Sequence, residues 1–240
     1  MLIVQKFGGT SLADAGCIRS AAQKAMAQQA MGNRVVMVVS AQGHTTDGLI
    51  QKARELSLKP PMRELDALLA CGEQMSAALV AMALQDMGCD AVSLTGWQAG
   101  VHTDGTQGNA MVEKVACHRI LQELEKGRVV VVTGFQGLGP NGDITTLGRG
   151  GSDTTAVALA AYLKADRCLI YTDVDGVYDK DPRKFPDAVR YDRIGYEQML
   201  RMAQGGAQVL HDRCVELAQR HGVRLQVLSA FREGPGTLVE

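Results

Sequence analysis

Short runs of Val, Ile and Leu alternate along this chain with longer stretches rich in Ala, Leu and Met. The first run, Leu2 to Lys6, predicts a strand, and a helical stretch follows from about Ala13 to Ala30. A second strand, Val35 to Ser40, is continuously apolar, the pattern produced when both faces of a parallel sheet are covered. Helices are predicted from about Glu64 to Met87 and from about Met111 to Lys126, stopped by Gly88 and Gly127, with strands Ala91 to Leu94 and Val129 to Thr133 after them. The second half repeats the alternation: helix Ser152 to Lys164, strand Cys168 to Thr172, helices Tyr196 to Met202 and Ala207 to His221, and strand Arg224 to Leu228. This order predicts an α/β fold, an open and mostly parallel sheet sandwiched between helices. A lobe boundary is expected near Lys164 to Asp166, dividing residues 1–164 from 165–240 within one continuous domain.

Composition narrows the function. The 240 residues carry 25 Lys plus Arg against 26 Asp plus Glu, so no electrostatic footprint for a nucleic acid or an anionic membrane is present. The apolar runs at Val35 to Val39 and Val129 to Val132 fall far short of the roughly 20 residues of a membrane span, and Met1 to Lys6 does not open a signal peptide. A cytoplasmic protein without membrane or nucleic acid partners is expected. The six cysteines never pair as C-x-x-C and the five histidines show no ligand spacing, so no protein-held metal is expected.

Four junctions between strands and helices carry unusual residues, and in open α/β sheets ligands gather at such carboxyl ends. Lys6-Phe7-Gly8-Gly9-Thr10-Ser11 couples a strand-end lysine to paired glycines, which let backbone N–H groups approach a phosphate; an ordinary tight turn with a hydroxyl cap explains the glycines and hydroxyls equally. Ser40 to Asp47 offers hydroxyls, Ser40 and Thr46 among them, which suit anion oxygens or mere turn capping. Thr145 to Thr155 sets Arg149 among Gly148, Gly150 and Gly151 before Ser152 and Asp153; Ser152 or Asp153 could be a simple N-cap, but an arginine amid glycines points to a carboxylate or phosphate. Thr172 to Arg183 has part of a calcium-loop spacing but lacks its terminal Glu, and suits a nucleotide base and phosphates better. Gly137 to Gly142 matches G-x-G-x-x-G, yet it contains Pro140 and leads into strand-like Asp143 to Thr146, so it is not a dinucleotide site.

The strings KFGGTS, SAQGHTTD, CGEQMSAAL, SLTGWQAG, TTLGRGGSDTTAVALAA and TDVDGVYDKDPR occur together and in this order. In them the chain resembles the aspartokinase branch of the amino acid kinase family, from Leu2 to Leu238. The resemblance implies an amino acid kinase-like αβα fold, with residues 1–164 the amino-acid lobe and 165–240 the nucleotide lobe. It implies transfer of the ATP γ-phosphoryl group to L-aspartate, the first step towards lysine, threonine and methionine, with Mg2+ carried on the nucleotide. Kinases of a related acidic amino acid or specialised metabolite, and a catalytically silent nucleotide- or aspartate-binding subunit, stand as alternatives.

By the same resemblance Lys6, Phe7, Gly8 and Gly9 hold the ATP phosphates, and Thr172, Asp173, Tyr178 and Arg183 the rest of the nucleotide. Ser40, Thr46, Glu73, Arg149, Gly150, Gly151, Ser152 and Asp153 form the amino acid site, with Lys6, Glu73 and Asp153 expected in catalysis. A solvated helix charge is the plainer account of Glu73. Two features depart from the pattern. Gln208 replaces the lysine of the family's GAKVLHPR, and the chain stops at Glu240, where family members usually continue into paired ACT regulatory domains. A chain lacking them is expected to be insensitive to lysine and threonine and to associate as a homodimer through the kinase fold.

Overall fold

Period-2 alternation, buried on both sides, organises the main sheet. The computed structural model describes residues 1–207 and 209–240. In chain order the elements are β1 (Leu2–Phe7), α1 (Ala15–Ala30), β2 (Arg34–Val39), α2 (Thr45–Leu56), α3 (Met62–Asp86), β3 (Ala91–Leu94), β4 (Val101–Thr103), β5 (Val112–Val115), α4 (His118–Glu125) and β6 (Val129–Thr133). There follow β7 (Gln136–Leu138), β8 (Ile144–Thr146), α5 (Gly151–Tyr162), β9 (Arg167–Thr172), β10 (Arg193–Ile194), α6 (Tyr196–Gln204), α7 (Asp212–His221), β11 (Leu225–Ser229) and β12 (Thr237–Val239). The main sheet runs β10-β12-β11-β9-β1-β2-β6-β3, parallel except where β12 turns back along β11.

Successive side chains of a strand point to opposite faces, so each strand feeds two cores. Leu2, Val4, Val36, Val38, Val130, Val132, Cys168 and Ile170 meet residues of α5 and α7 on one face. Ile3, Phe7, Val35, Met37, Val39, Val129, Val131, Leu169 and Tyr171 meet α1 and α3 on the other. Full burial of such a side chain contributes roughly 1.5–3 kcal/mol, which explains why these strands carry almost no polar residue. Because β1 pairs with β9, with Phe7 beside Tyr171, the sheet passes without a break through the boundary expected near residue 164.

A second sheet, β5-β4-β7-β8, corrects the helix expected over Met111 to Lys126. Its first part is β5, antiparallel to β4, and only His118–Glu125 is helical. Glu113 and Lys114 are good helix formers, but as exposed residues of a strand they leave the choice to cross-strand pairing. The helix expected from Ala207 begins at Asp212, and α2, β10 and β12 were not foreseen. By length and composition α3 is long and apolar enough to cross a membrane, yet half of that stretch is buried inside the fold, with Asp66 and Glu73 both turned inward.

Candidate active site

Lys6 shares its parity on β1 with Leu2 and Val4, and therefore emerges on the face covered by α5. There Asp153 Oδ1, in the first turn of α5, lies 2.7 Å from Lys6 Nζ, both side chains about nine-tenths buried. The cap of α5 is Gly150, left-handed at φ 71°, and no side chain caps the helix. Ser152 and Asp153 are thus not spent on capping, and the plain N-cap account of them is excluded. Open backbone N–H groups at this helix start sit beside Gly8 and Gly9 on the wall of a cavity of about 340 Å3.

The same cavity gathers Ser40, Thr46, Glu73, Arg149, Gly150, Gly151, Ser152 and Asp153 from three separate segments. Phe7 is the exception among the phosphate-loop residues. Parity sends its ring to the opposite face, where it stacks on Tyr171 with centroids 4.6 Å apart, so only its backbone is left for a ligand. Two loops are packed into one wall here: Gly43 N–H donates to Gly9 O at 3.0 Å, and a Cβ on Gly9 would stand 2.7 Å from Ala41 O.

Glu73 is 3% exposed, so the solvated-charge account fails. Gly72 allows this, because a Cβ there would come 2.9 Å from the Ala41 side chain where α3 crosses the loop after β2. Glu73 Oε1 accepts from Ala41 N–H at 2.9 Å, whereas the buried Oε2 has no partner among the described residues. Burial pushes the carboxyl up to about 7, opposed only in part by the Ala41 hydrogen bond. A buried carboxylate oxygen without a donor, on the wall of a cavity, is a receptor for a cation. Arg149 stands exposed on the rim of the same cavity.

On the other side, a cavity of about 730 Å3 is lined by Asp173, Tyr178 and Arg183 together with Gly205, Gly206, Ala207 and Val209. Thr172 does not line it; its Oγ1 donates to Asp173 Oδ1 at 3.1 Å and steadies that carboxylate. Gln208 lies outside the described residues.

Three residues of this region went unread in the sequence. Phe135, after β6, lines the 340 Å3 cavity and holds a positive φ of 69°, rare for so bulky a residue; its place between Gly134 and Gly137 was the available sign. His211 lines the cavity as well, its ring against Gly150. Asp66 is fully buried and accepts from Thr146 Oγ1 at 2.7 Å, Thr146 N–H at 3.0 Å and Gly108 N–H at 2.8 Å, tying α3 to the loop that carries Arg149. Its signal was spacing, since Asp66 lies seven residues, two helical turns, before Glu73 on the same inward stripe.

The chain that carries this arrangement, a lysine and glycine pair beside an open helix start and a larger cavity across the way, is similar to known proteins. Aspartokinase 2 of Bacillus subtilis (strain 168) is 52% identical over 239 residues, covering 100% of this chain and 59% of the relative. The chain spans 57–59% of the length of the curated relatives it matches. Among solved structures, aspartate kinase from Synechocystis is 46% identical with a TM-score of 0.89, over 100% of this chain and 39% of that one. E. coli aspartokinase III in complex with aspartate and ADP (R-state) superposes with the same TM-score of 0.89 at 29% identity, over 100% of this chain and 64% of that one. With residues 1–229 matching the amino acid kinase family, and with its glycine loop, arginine loop and two cavities disposed around one sheet, the chain belongs to that family.

Proposed function

We propose that this chain transfers the γ-phosphoryl group of ATP to the side-chain carboxylate of L-aspartate, giving 4-phospho-L-aspartate. The observation that carries the reading is a single cavity with three chemically distinct grips: the Lys6–Asp153 pair, the unpartnered Glu73 Oε2 and the Arg149 guanidinium. The names of the curated relatives, and the aspartate and ADP bound by the E. coli protein, support it.

An aspartate side chain with a pKa of about 3.9 is ionised at neutral pH, so the nucleophile needs no general base. Catalysis then rests on alignment and on neutralising charge as the phosphoryl group moves. Lys6, fixed by its strand and by Asp153, stabilises the transferring oxygens, with the N–H groups of the glycine loop and of the α5 start beside it. Glu73 Oε2 receives the α-ammonium group, and Arg149 clamps the α-carboxylate as a fork. ATP lies along the larger cavity, against Asp173, Tyr178 and Arg183. Magnesium fits as an ion carried on the phosphate oxygens, because Asp153, the carboxylate at the phosphoryl position, is already engaged by Lys6. When bound there it withdraws charge from the phosphates.

A coupled assay of ADP release with MgATP and either L-aspartate or L-glutamate tests the reading. Turnover with aspartate, well above that with glutamate, is expected; turnover with neither overturns the proposal.

A further inference from the structure

Arg213, in the first turn of α7, lies outside the grips described above and reaches the loop that precedes α5. Its Nη1 donates to the carbonyl oxygen of Leu147 at 2.9 Å and to Asn109 Oδ1 at 2.8 Å. Only Gly148 separates Leu147 from Arg149. That loop contains two left-handed glycines, Gly148 at φ 72° and Gly150 at φ 71°, and glycine loses more freedom than any other residue when it is fixed. The loop therefore needs holding from outside. Asp66 holds it from α3 through Thr146, and Arg213 holds it from α7 through Leu147.

The α7 side has a property that the α3 side lacks. The stretch just before α7, from Gly205 to Ala207 and again at Val209, forms part of the wall of the 730 Å3 cavity. His211, two residues beyond Val209, packs its ring against Gly150. Val209 and His211 thus bring the wall of the larger cavity within two residues of a contact with the loop that carries Arg149.

We propose that Arg213 is a positioning residue which holds the loop of residues 147–150, and with it Arg149, in register for the amino acid carboxylate, and which makes amino acid affinity depend on nucleotide. The proposal rests on the kinase reading. Such coupling is reciprocal and is measured as a ratio of dissociation constants.

Two variants and two measurements test it: Arg213→Ala, and Asn109→Ala at an exposed position, which leaves the Leu147 bond intact. Amide hydrogen exchange reads the free protein, and calorimetric titration of L-aspartate is run with and without saturating ADP. In the parent, ADP is expected to tighten aspartate binding several-fold. In Arg213→Ala, exchange across residues 147–151 is expected to rise and aspartate to bind about tenfold more weakly. ADP should then no longer matter to aspartate, while ADP's own affinity stays within about twofold; Asn109→Ala should move the same readouts less. Unchanged exchange at 147–151 in Arg213→Ala, an equal loss for aspartate and ADP, or a parent in which ADP leaves aspartate affinity unaltered overturns the proposal. A parent that binds neither ligand overturns the kinase reading instead, and the exchange measurement still decides whether Arg213 holds the loop.

Discussion

Glu73 is a carboxyl whose state depends on what stands against it. Burial lifts it to about 7, against an ordinary 4.5, and among the described residues Oε2 has no donor to offset the loss of water. The native state thus binds a proton that the unfolded chain releases between pH 4.5 and 7, so this group's contribution to stability is present at low pH and is lost as pH rises through 7. The full span is worth up to about 3 kcal/mol. Glu73→Gln removes the titration, and its melting temperature should gain on the parent's as pH is raised from 5 to 8; parallel curves would refute the buried titration. Aspartate binding moves in the opposite sense. The α-ammonium group needs the carboxylate, so aspartate KM should fall from pH 6 to 8 in the parent and stay flat and high in Glu73→Gln. For Lys6, the contact with Asp153 holds its charge on the cavity wall, and in the proposed reaction Lys6→Ala should lower kcat by about a hundredfold or more with little change in aspartate KM. A folded Lys6→Ala enzyme with parental kcat would remove that role. Lys6 and Arg149 were legible as cavity-lining candidates, the one as a strand-end lysine before paired glycines, the other as an arginine among glycines. Asp66 was not, since an aspartate on a helix reads as solvated until packing turns that stripe inward.

Among the elements, the strands of the main sheet were legible because two-sided burial demands continuous apolar runs. Helix α2 was hidden: its sequence, TTDGLIQKAREL, is polar, contains Gly48 and buries only Ala53, so burial left little trace in it. Strands β10 and β12 were too short, at two and three residues, to show a period. The Gly148 to Gly151 loop was expected to bind a ligand and does line a cavity, but the reason for its glycines was not legible. A Cβ on Gly150 would run into the His211 ring, and the left-handed φ adds strain for any other residue. Gly150→Ala should therefore cost about 2 kcal/mol, a fall of roughly 4–8 °C in Tm by thermal unfolding, together with a raised aspartate KM. An unchanged Tm would show that His211 yields freely and that the close approach is of no consequence.

At the scale of the molecule, a single sheet runs through the boundary expected near residue 164. With β1 hydrogen-bonded to β2 on one side and β9 on the other, neither half retains its central pairing without its neighbour. Thermal unfolding should give one transition, the fluorescence of Trp97, beside β3 at one end of the sheet, coinciding with far-UV circular dichroism of the whole. Two separated transitions would mean independent lobes. The left-handed cap of α5 also has a metric consequence. Arg149 stands one residue before that cap, and Asp153, which contacts Lys6, stands in the first turn after it. In the proposed reaction the three residues between them set the distance from the carboxylate clamp to the phosphoryl position, and that bend is a ruler laid along the substrate. An amino acid one methylene longer meets a mismatch worth about 1–3 kcal/mol in a tight pocket, so a preference for aspartate over glutamate follows from the bend at Gly150.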